Sequence, residues 1–284
     1  MKHLILLGTV ILLCSCAAMG SGDRGKKFIL MASTIGPIDA GIVAVLEDAF
    51  EKETGIRVRH VGAGTGATLK MAEGGQMDLV MVHAKALEEK FVANGFGTER
   101  FDCMYNDFVI LGPENDPAGI KGMKKAGDAL KKISEQSALF ISRGDNSGTH
   151  IAEMDLWKIA GIKPAGSWYK VYEKGASGNA PTLQYADQEK GYVVMDRATY
   201  LTLKNKIKSV ILVENDEALL NYISLIPVNP KKFSNVNYEG SMVFIKWLCS
   251  PEKGQKIIRD FGKDKYGAPL FFPNSKEWKQ SKSN

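Results

Sequence analysis

Short apolar segments alternate with helical segments along the first third of the chain, and no other feature of the sequence constrains the fold as strongly. The helical segments carry apolar residues at helical spacing, as Ile42, Val43 and Leu46 do. The pattern predicts strands at 28–31, 56–61 and 78–82 and helices at 39–54, 65–73 and 85–94. Because such alternation builds parallel sheets with helices on both faces, we predict an α/β protein.

A second α/β pattern follows, and the chain then changes character again. Helices are predicted near 123–134, 148–160 and 180–188, strands at 108–112, 138–142 and 192–195, extended segments at 210–213 and 222–228, and closing helices at 238–249 and 252–261. This order predicts two lobes, each a mostly parallel sheet flanked by helices. Lobe I comprises 26–110 and 215–284, lobe II comprises 111–214, and strands near 105–113 and 209–229 form a two-strand hinge. The cleft between two such lobes is a typical ligand site.

The N-terminal residues are predicted to be an export signal. A short basic start precedes an apolar run at 4–13, which is shorter than the roughly 18–20 residues that span a bilayer. The run ends in Leu13-Cys14-Ser15-Cys16, which resembles a lipobox, a motif whose last Cys is acylated and becomes the new N-terminus. We predict a lipoprotein signal peptide over 1–16 and a lipid anchor on Cys16. Ordinary cleavage after Ala17 or Ala18 is the alternative, and both place the protein outside the cytoplasm.

Composition excludes several classes of protein. The chain is 44% hydrophobic and 24% charged, which is typical of a globular protein and not of a disordered or multi-span membrane chain. The net charge of +5 is too small to indicate a nucleic-acid partner. The Lys-rich end at 276–284 is predicted to be a solvated tail. Cys103 and Cys249 follow no metal-ligand spacing, so we expect two buried free thiols.

Three predicted turns between a strand and a helix are rich in small polar residues. They are Ser33-Thr34-Ile35-Gly36, Gly62-Ala63-Gly64-Thr65-Gly66 and the segment from Ser142 to Thr149. A helix N-terminus has unpaired N–H groups and a partial positive charge, so each turn is a candidate anion site. Glycines allow close approach, and hydroxyls add donors without adding charge. A plain loop is the alternative for the second turn.

The third turn, Ser142-Arg143-Gly144-Asp145-Asn146-Ser147-Gly148-Thr149, is the most informative. Arg143 supplies a guanidinium, which Asp145 can orient, and Ser147, Gly148 and Thr149 offer hydroxyl and amide donors. The alternative is only a well-capped helix with Asp145 or Ser147 as the N-cap. Capping does not require an Arg beside two glycines and two hydroxyls, so we interpret the turn as an anion site.

Catalytic chemistry has little support in the sequence. A triad from Ser142 or Ser147 with His150 and Asp145 would need neighbours in one turn to face each other, and the chain has no Gly-x-Ser-x-Gly motif. We therefore predict that the protein is not an enzyme.

The histidines and large aromatics are also predicted to be structural. His60, His83 and His150 lack the spacing of zinc ligands, so we expect neither a metal nor a cofactor. His83 follows a strand and is predicted to be a hydrogen-bonded residue beside the cleft. The aromatic residues Trp157, Trp168 and Tyr169 are predicted to pack in the core or near the hinge.

From Phe28 to about Pro273, motifs along nearly the whole mature chain resemble those of the tungstate-binding subunits of bacterial ABC importers, which are class II periplasmic solute-binding proteins. The matching segments are Gly64-Thr65-Gly66-Ala67, Val82-His83-Ala84, Met104-Tyr105-Asn106-Asp107-Phe108-Val109-Ile110, Gly112-Pro113, Asp116-Pro117-Ala118-Gly119-Ile120, Ser142-Arg143-Gly144-Asp145, Ser147-Gly148-Thr149, Leu156-Trp157, Trp168-Tyr169 and Asp196-Arg197.

The resemblance implies two lobes that close on a tetrahedral oxyanion, tungstate or molybdate. The implied ligand-binding residues are Ser33, Thr34, Thr65 and Gly66 in lobe I and Arg143, Ser147, Gly148 and Thr149 in lobe II, with Asp145 and His83 in supporting roles. It also implies a monomeric protein of the periplasm or cell envelope, whose only link to the membrane is its lipid anchor. The implied partners are an ABC permease and its ATPase subunit.

The first loop departs from the pattern of the family. Members usually carry Thr-Thr-Thr-Ser followed by Asp-Ser-Gly, whereas this chain has Ser33-Thr34-Ile35-Gly36 and then Asp39-Ala40-Gly41, so two hydroxyl donors are missing. The third turn also resembles the helix start of phosphate-binding proteins. Asp145 facing the ligand would favour phosphate, and Asp145 turned back onto Arg143 would favour tungstate or molybdate. A ligand-sensing lipoprotein without a permease is a further alternative.

Overall fold

The computed structural model describes residues 28–283. Its strands are β1 (Phe28–Thr34), β2 (Arg57–Ala63), β3 (Leu79–Val82), β4 (Phe101–Gly112), β5 (Phe140–Ser142), β6 (Tyr169–Val171), β7 (Val193–Asp196), β8 (Val210–Val213), β9 (Leu220–Pro227) and β10 (Phe272–Pro273). Its α-helices are α1 (Ile35–Asp39), α2 (Ile42–Thr54), α3 (Thr65–Glu73), α4 (Lys85–Ala93), α5 (Ala126–Glu135), α6 (Gly148–Ile159), α7 (Asn179–Glu189), α8 (Arg197–Leu203), α9 (Tyr238–Cys249), α10 (Gly254–Asp260), α11 (Lys263–Tyr266) and α12 (Lys276–Ser283). Single-turn 3₁₀ helices lie at Gly175–Ser177 and Glu217–Leu219. The predicted signal peptide at 1–16 and the predicted lipidation site Cys16 lie outside the described residues.

The first lobe is built around the strands from the start of the chain. Its strand order is β10-β4-β9-β3-β1-β2, with β1 parallel to both β2 and β3. Side chains alternate across the sheet, so Met31 and Met81 pack with α2 and α9, whereas Ala32 and Val80 pack with α3 on the other face. Helices therefore cover both faces, as the alternation predicted.

The second lobe is built on the far half of β4. This strand pairs with β9 as far as Asp107 and then with β7 and β8 between Phe108 and Gly112. Strand β5 pairs in parallel with β6 and bridges to Tyr192, just before β7. One core around Trp157 and another around Leu183 lie on the two sides of these strands. The structure therefore has the predicted two lobes, with β4 belonging to both.

An ion-pair cluster lies where the chain crosses between the lobes, first within β4 and again between β8 and β9. Arg197 Nε donates to Asp107 Oδ1 at 2.9 Å, and Arg197 Nη2 donates to Glu214 Oε2 at 2.8 Å. Burial alone would lower the pKa of Arg197, but hydrogen bonds to these carboxylates raise it above its ordinary value. The start of α8 is thereby tied to both crossings.

Both sheets are mixed, which corrects the prediction of mostly parallel sheets. Strands β9 and β3 are antiparallel, and β4 is antiparallel to β7, β8, β9 and β10. The chain leaves lobe I along β4 and returns along β9, so these two strands run in opposite directions through the middle of the molecule. Alternating strand and helix patterns predict parallel pairing only for the strands that helices connect.

Two other segments differ from the sequence-based prediction. The helix predicted at 39–54 begins instead at Ile42, because Gly41 adopts a left-handed conformation with φ 85° and separates α2 from the short helix α1. The end of the chain, predicted as a solvated tail, forms α12, although none of its residues is buried.

The prediction that Cys103 and Cys249 are buried free thiols is confirmed. Within 28–283, no helix is both long enough and apolar enough to cross a membrane.

Candidate functional site

The carboxyl ends of β1, β2 and β3 lie side by side at one edge of lobe I. In the sheet register, Ser33 of β1 is opposite Gly62 of β2 and Met81 of β3. The residues that follow these strands therefore meet at the same edge, which is where open α/β sheets bind ligands. They include two of the predicted turns and His83.

Hydroxyl and amide donors from lobe I gather at this edge. Ser33 and Thr34 are buried, and Ser33 Oγ donates to the Thr34 carbonyl at 3.2 Å. Thr34 precedes α1, and its Oγ1 has no hydrogen-bond partner among residues 28–283. Thr65 and Gly66 begin α3, whose N-terminus no side chain caps. Their amides, like those of any first helical turn, have no acceptor within the helix.

The altered first loop places apolar side chains beside the edge. Ile35 and Ile38 lie against Gly62, where an added methyl group would approach their Cδ1 atoms to 3.1 and 2.9 Å. Ile35 is still 45% exposed, and it offers no polar group to a ligand. The amides of Ile35 and Gly36, in the first turn of α1, have no acceptor within that helix and are the donors that this part of the loop offers.

The loop between β5 and α6 supplies the second half of the site. Ser147 is the N-cap of α6, and its Oγ accepts a hydrogen bond from the His150 amide at 3.4 Å. Gly148 and Thr149 form the first turn, so their amides have no acceptor within the helix. Thr149 is buried, and Gly148 is exposed. The helix is thus capped as the alternative predicted, yet two amide donors remain at its start.

Arg143 is held on three sides in the same loop. Its Nε donates to the Gly175 carbonyl at 3.1 Å, Nη1 donates to Asn179 Oδ1, and Nη2 lies 2.9 Å from Asp145 Oδ2. Its side chain is only 14% exposed. Two of the five guanidinium N–H groups therefore donate hydrogen bonds to the protein, and Nη2 faces Asp145 as an ion pair, so N–H groups on both terminal nitrogens remain for other acceptors.

Asp145 is turned back into its own loop. Its Oδ1 accepts from the Ser147 amide at 3.1 Å, and its Oδ2 faces Arg143. Burial alone would raise the pKa of Asp145, but hydrogen bonds from Ser147 and the charge of Arg143 lower it below its ordinary value. The carboxyl is therefore ionised at neutral pH and already occupied by protein donors.

His83 brings the two halves of the site together. A Cβ atom built on Gly148 would lie 3.4 Å from His83 Cε1, so the end of β3 in lobe I contacts the start of α6 in lobe II. Burial lowers the pKa of His83 below its ordinary value, although the Asn221 side chain in β9 opposes this effect. The lowered pKa favours a neutral imidazole beside the start of α6. Its role as a hydrogen-bonded structural residue beside the cleft stays a prediction.

Comparisons with known proteins agree with this geometry. The model of the PBP superfamily domain, the fold of periplasmic binding proteins, matches residues 20–252. The chain belongs to the PBP superfamily. It is similar to the tungstate-binding protein TupA of Peptoclostridium acidaminophilum, with 44% identity over 97% of this chain and 99% of that protein. This similarity places it in the TupA family within the superfamily.

Two solved structures resemble this member of the TupA family closely. The tungstate-binding protein TupA of Desulfovibrio alaskensis G20 is 41% identical, with a TM-score of 0.80 over 88% of this chain and 99% of that one. The structure described as the tungstate ABC transporter from Geobacter sulfurreducens is 45% identical, with a TM-score of 0.70 over 83% of this chain and 99% of that one.

This protein does not assemble the catalytic triad that was considered from its sequence. His150 Nδ1 accepts from the Asn146 amide at 3.0 Å, and Ser147 Oγ accepts from the backbone of His150. Asp145 is bonded to Arg143 and Ser147 instead of to a histidine. Among the residues the structure describes, no cluster of His, Cys, Asp or Glu could hold a metal ion.

The predicted aromatic packing is confirmed in this TupA family member. Trp157 is fully buried, and its ring lies 5.0 Å from Phe140 and 5.6 Å from Trp168, measured between centroids. Tyr169 stacks on Phe140 at 5.9 Å. These rings form part of the lobe II core beneath α6, Trp157 within it and Trp168 and Tyr169 packed against it.

Sequence analysis missed the residues that hold Arg143 in the TupA family member. Asn179 and Gly175 lie more than thirty residues further along the chain, in a segment with no recognised motif. The Gly178-Asn179 pair is compatible with a helix start, and this local signal says nothing about Arg143. Only the tertiary structure brings the two segments together.

Proposed function

We propose that the protein is the extracytoplasmic solute-binding subunit of an ABC importer and that it binds tungstate between its two lobes. The names of its relatives support this function. We assign residues 26–110 and 215–284 to lobe I and residues 111–214 to lobe II. In this proposal the protein only binds its ligand, without a cofactor and without catalysis.

The contact between His83 and the start of α6 carries the proposal, because it brings the carboxyl edge of lobe I close to the loop that holds Arg143. Lobe I would contribute Ser33, Thr34, Thr65 and Gly66, and lobe II would contribute Arg143, Ser147, Gly148 and Thr149. Asp145 and His83 would support them. A buried dianion without donors costs many kcal/mol in lost hydration, so a dense set of N–H and O–H donors is the chemistry that such a ligand requires.

The orientation of Asp145 favours tungstate or molybdate over phosphate. Phosphate is partly protonated at neutral pH, and a carboxylate facing the ligand would accept that proton. Here both Asp145 oxygens are engaged by Arg143 and Ser147. Tungstate and molybdate are fully deprotonated and need no such acceptor.

Transport would follow from closure of the lobes on the ligand and delivery to a membrane permease driven by its ATPase subunit. We further propose that the protein is a monomer anchored in the cell envelope by acylation of Cys16. No nucleic-acid partner is required. The altered loop at Ile35 and Gly36 would lower affinity without changing the class of ligand.

Isothermal titration with tungstate, molybdate, sulfate and phosphate tests the proposal. We expect heat from tungstate and molybdate and little from phosphate or sulfate. Arg143→Ala should lower the affinity for tungstate by about 2–5 kcal/mol, since it removes one member of a buried charge pair. Arg143→Lys keeps the charge and should restore only part of the loss, because an ammonium lacks the planar fork.

Arg259→Ala is the matched control, since Arg259 lies on α10 of lobe I and pairs with its partly exposed neighbour Asp260. It should bind tungstate as the wild type does. Unchanged affinity in Arg143→Ala would remove that residue from the site. Absence of heat with every oxyanion would favour the sensing lipoprotein, and a preference for phosphate would favour the phosphate-binding alternative.

A further inference from the structure

Asn179 bridges two charged side chains of lobe II. Its Oδ1 accepts from Arg143 Nη1, and its Nδ2 donates to Asp196 Oδ2 at 2.7 Å. Arginine can only donate and an ionised carboxylate can only accept, so chemistry permits one orientation of this amide. The side chain is therefore fixed at both ends.

Asp196 is itself held rigidly. It is the N-cap of α8, with Oδ1 accepting from the Thr199 amide at 2.8 Å and Oδ2 accepting from Thr199 Oγ1 at 2.6 Å. In the sheet it lies opposite Phe108, at the residue where β4 enters lobe II. The next residue, Arg197, forms the ion pairs at the two crossings. The Asn179 amide is thus bonded to a side chain that caps α8 and lies beside the strands that cross between the lobes.

The contacts of Arg143 explain why this anchor matters. Two of the five guanidinium N–H groups donate to Gly175 and Asn179, Asp145 forms an ion pair with Nη2, and the group is planar. The direction of the remaining N–H groups is therefore set by these three protein contacts. Without Asn179, only the Gly175 carbonyl and Asp145, which lies in the same loop as Arg143, would hold the guanidinium.

We propose that Asn179 is a positioning residue for anion binding: its amide, oriented by Asp196, fixes Arg143 so that its remaining N–H groups point at the ligand. This inference rests on the proposed function of Arg143. Asn179 acts through Arg143 and does not itself contact the anion.

The substitution Asn179→Asp distinguishes a positioning role from a purely structural one, because only a positioning role predicts that anion affinity follows the protonation of the new carboxyl group. A protonated carboxyl has one carbonyl oxygen and one O–H, so it can accept from Arg143 and donate to Asp196 as the amide does. An ionised carboxylate cannot donate to Asp196 and is repelled by its negative charge. It also neutralises the positive charge of Arg143. Position 179 contacts the charged side chains of Arg143 and Asp196, and Asp145 pairs with Arg143 in turn; all three lie within lobe II.

Tungstate affinity should be measured by titration at several values between about pH 8 and about pH 5, a range in which perturbed carboxyls titrate. At the upper end, Asn179→Ala and Asn179→Asp should both bind about 10–100-fold more weakly than the wild type, the loss typical of removing an outer-shell partner of a bound ion. Towards the lower end, Asn179→Asp should recover relative to the wild type, whereas Asn179→Ala should not. The wild type measured alongside corrects for titration of the ligand and of other groups.

Asn205→Asp is the control, since it adds the same charge at an exposed position of the same lobe. It should follow the wild type at every pH. Wild-type affinity in both variants at position 179, or equal weakness in both at every pH, would overturn the positioning role. If Asn179→Ala does not fold, the pH profile of Asn179→Asp decides alone. If the wild type itself binds no tungstate, the proposed function fails first, and this inference fails with it.

Discussion

Glu153 is a buried carboxyl group in α6, one turn beyond the candidate site. Its Oε1 accepts from Trp157 Nε1 at 3.2 Å and from Tyr169 Oη at 2.8 Å, and its side chain is almost inaccessible to solvent. Burial raises the pKa of this carboxyl from its ordinary value of 4.5 to about 7, although these hydrogen bonds oppose the shift. The folded protein therefore holds a proton here over a range in which the unfolded chain has released it.

This raised pKa predicts a pH-dependent stability. A group with a higher pKa in the folded state stabilises it fully below the unfolded pKa, and the contribution is lost as pH rises to the folded pKa. Glu153→Gln mimics the protonated group, so its advantage over the wild type should grow by up to about 3 kcal/mol between pH 4.5 and about pH 7. Urea unfolding of both proteins at several pH values measures this difference. Asp155→Asn, an exposed change in the same helix, should show no such trend, and parallel curves for Glu153→Gln and the wild type would contradict the prediction.

At the residue scale, sequence patterns revealed the groups that carry charge and capping chemistry but not their tertiary partners. The Ser147 cap of α6 was predictable because it is a local signal at a helix start. The pairing of Arg143 with Asn179 was not, because it joins residues from separate segments. The burial of Glu153 could not be predicted either. Its position in α6 indicates on which face of the helix it lies, but not which residues pack against that face.

The 3₁₀ helix at Gly175–Ser177 has one position that only glycine can occupy. A Cβ on Gly175 would lie 1.8 Å from the Arg143 carbonyl oxygen, so the two backbones approach too closely for any side chain. This approach also lets the Gly175 carbonyl accept from Arg143 Nε. The 3₁₀ helix and the loop between β5 and α6 are therefore in direct backbone contact.

Gly175→Ala should force these two segments apart. We expect a loss of about 1–3 kcal/mol in the free energy of unfolding, as is usual for overpacking, together with weaker tungstate binding. Gly74→Ala is the matched control, because Gly74 has an ordinary helical φ and a Cβ there would meet only normal contacts at 3.4 Å and beyond. Denaturant unfolding and titration measure the two effects. A Gly175→Ala protein with wild-type stability and affinity would show that the approach is not needed.

At the element scale, prediction succeeded where a segment carries its own pattern. Helices α3 and α9 have the predicted bounds, because each has apolar spacing and clear end signals. Strand β4 begins seven residues before its predicted start, since its first half is interrupted by polar residues such as Asp102 and Asn106. Strands β6 and β10 have three and two residues and are defined only by the strands beside them.

For the whole molecule, binding between lobes predicts that the ligand stabilises both lobes together. A ligand that binds only the folded state adds about 2.7 kcal/mol when its concentration is 100 times its dissociation constant. Tungstate at that excess should raise the melting temperature of the wild type in scanning calorimetry. Arg143→Ala at the same tungstate concentration should shift less, and phosphate should shift neither protein. An equal shift with phosphate would contradict the proposed selectivity.

The continuity of β4 has a consequence for how the molecule can be divided. Since β4 pairs with β9 along its first half and with β7 and β8 along its second half, each half of the protein contains part of the same continuous strand. Neither half can be excised as an autonomous piece without leaving an unsatisfied row of peptide groups in what remains. Motion of one half relative to the other therefore has to bend or twist β4 itself. Unfolding of one half exposes the strand edges of the other.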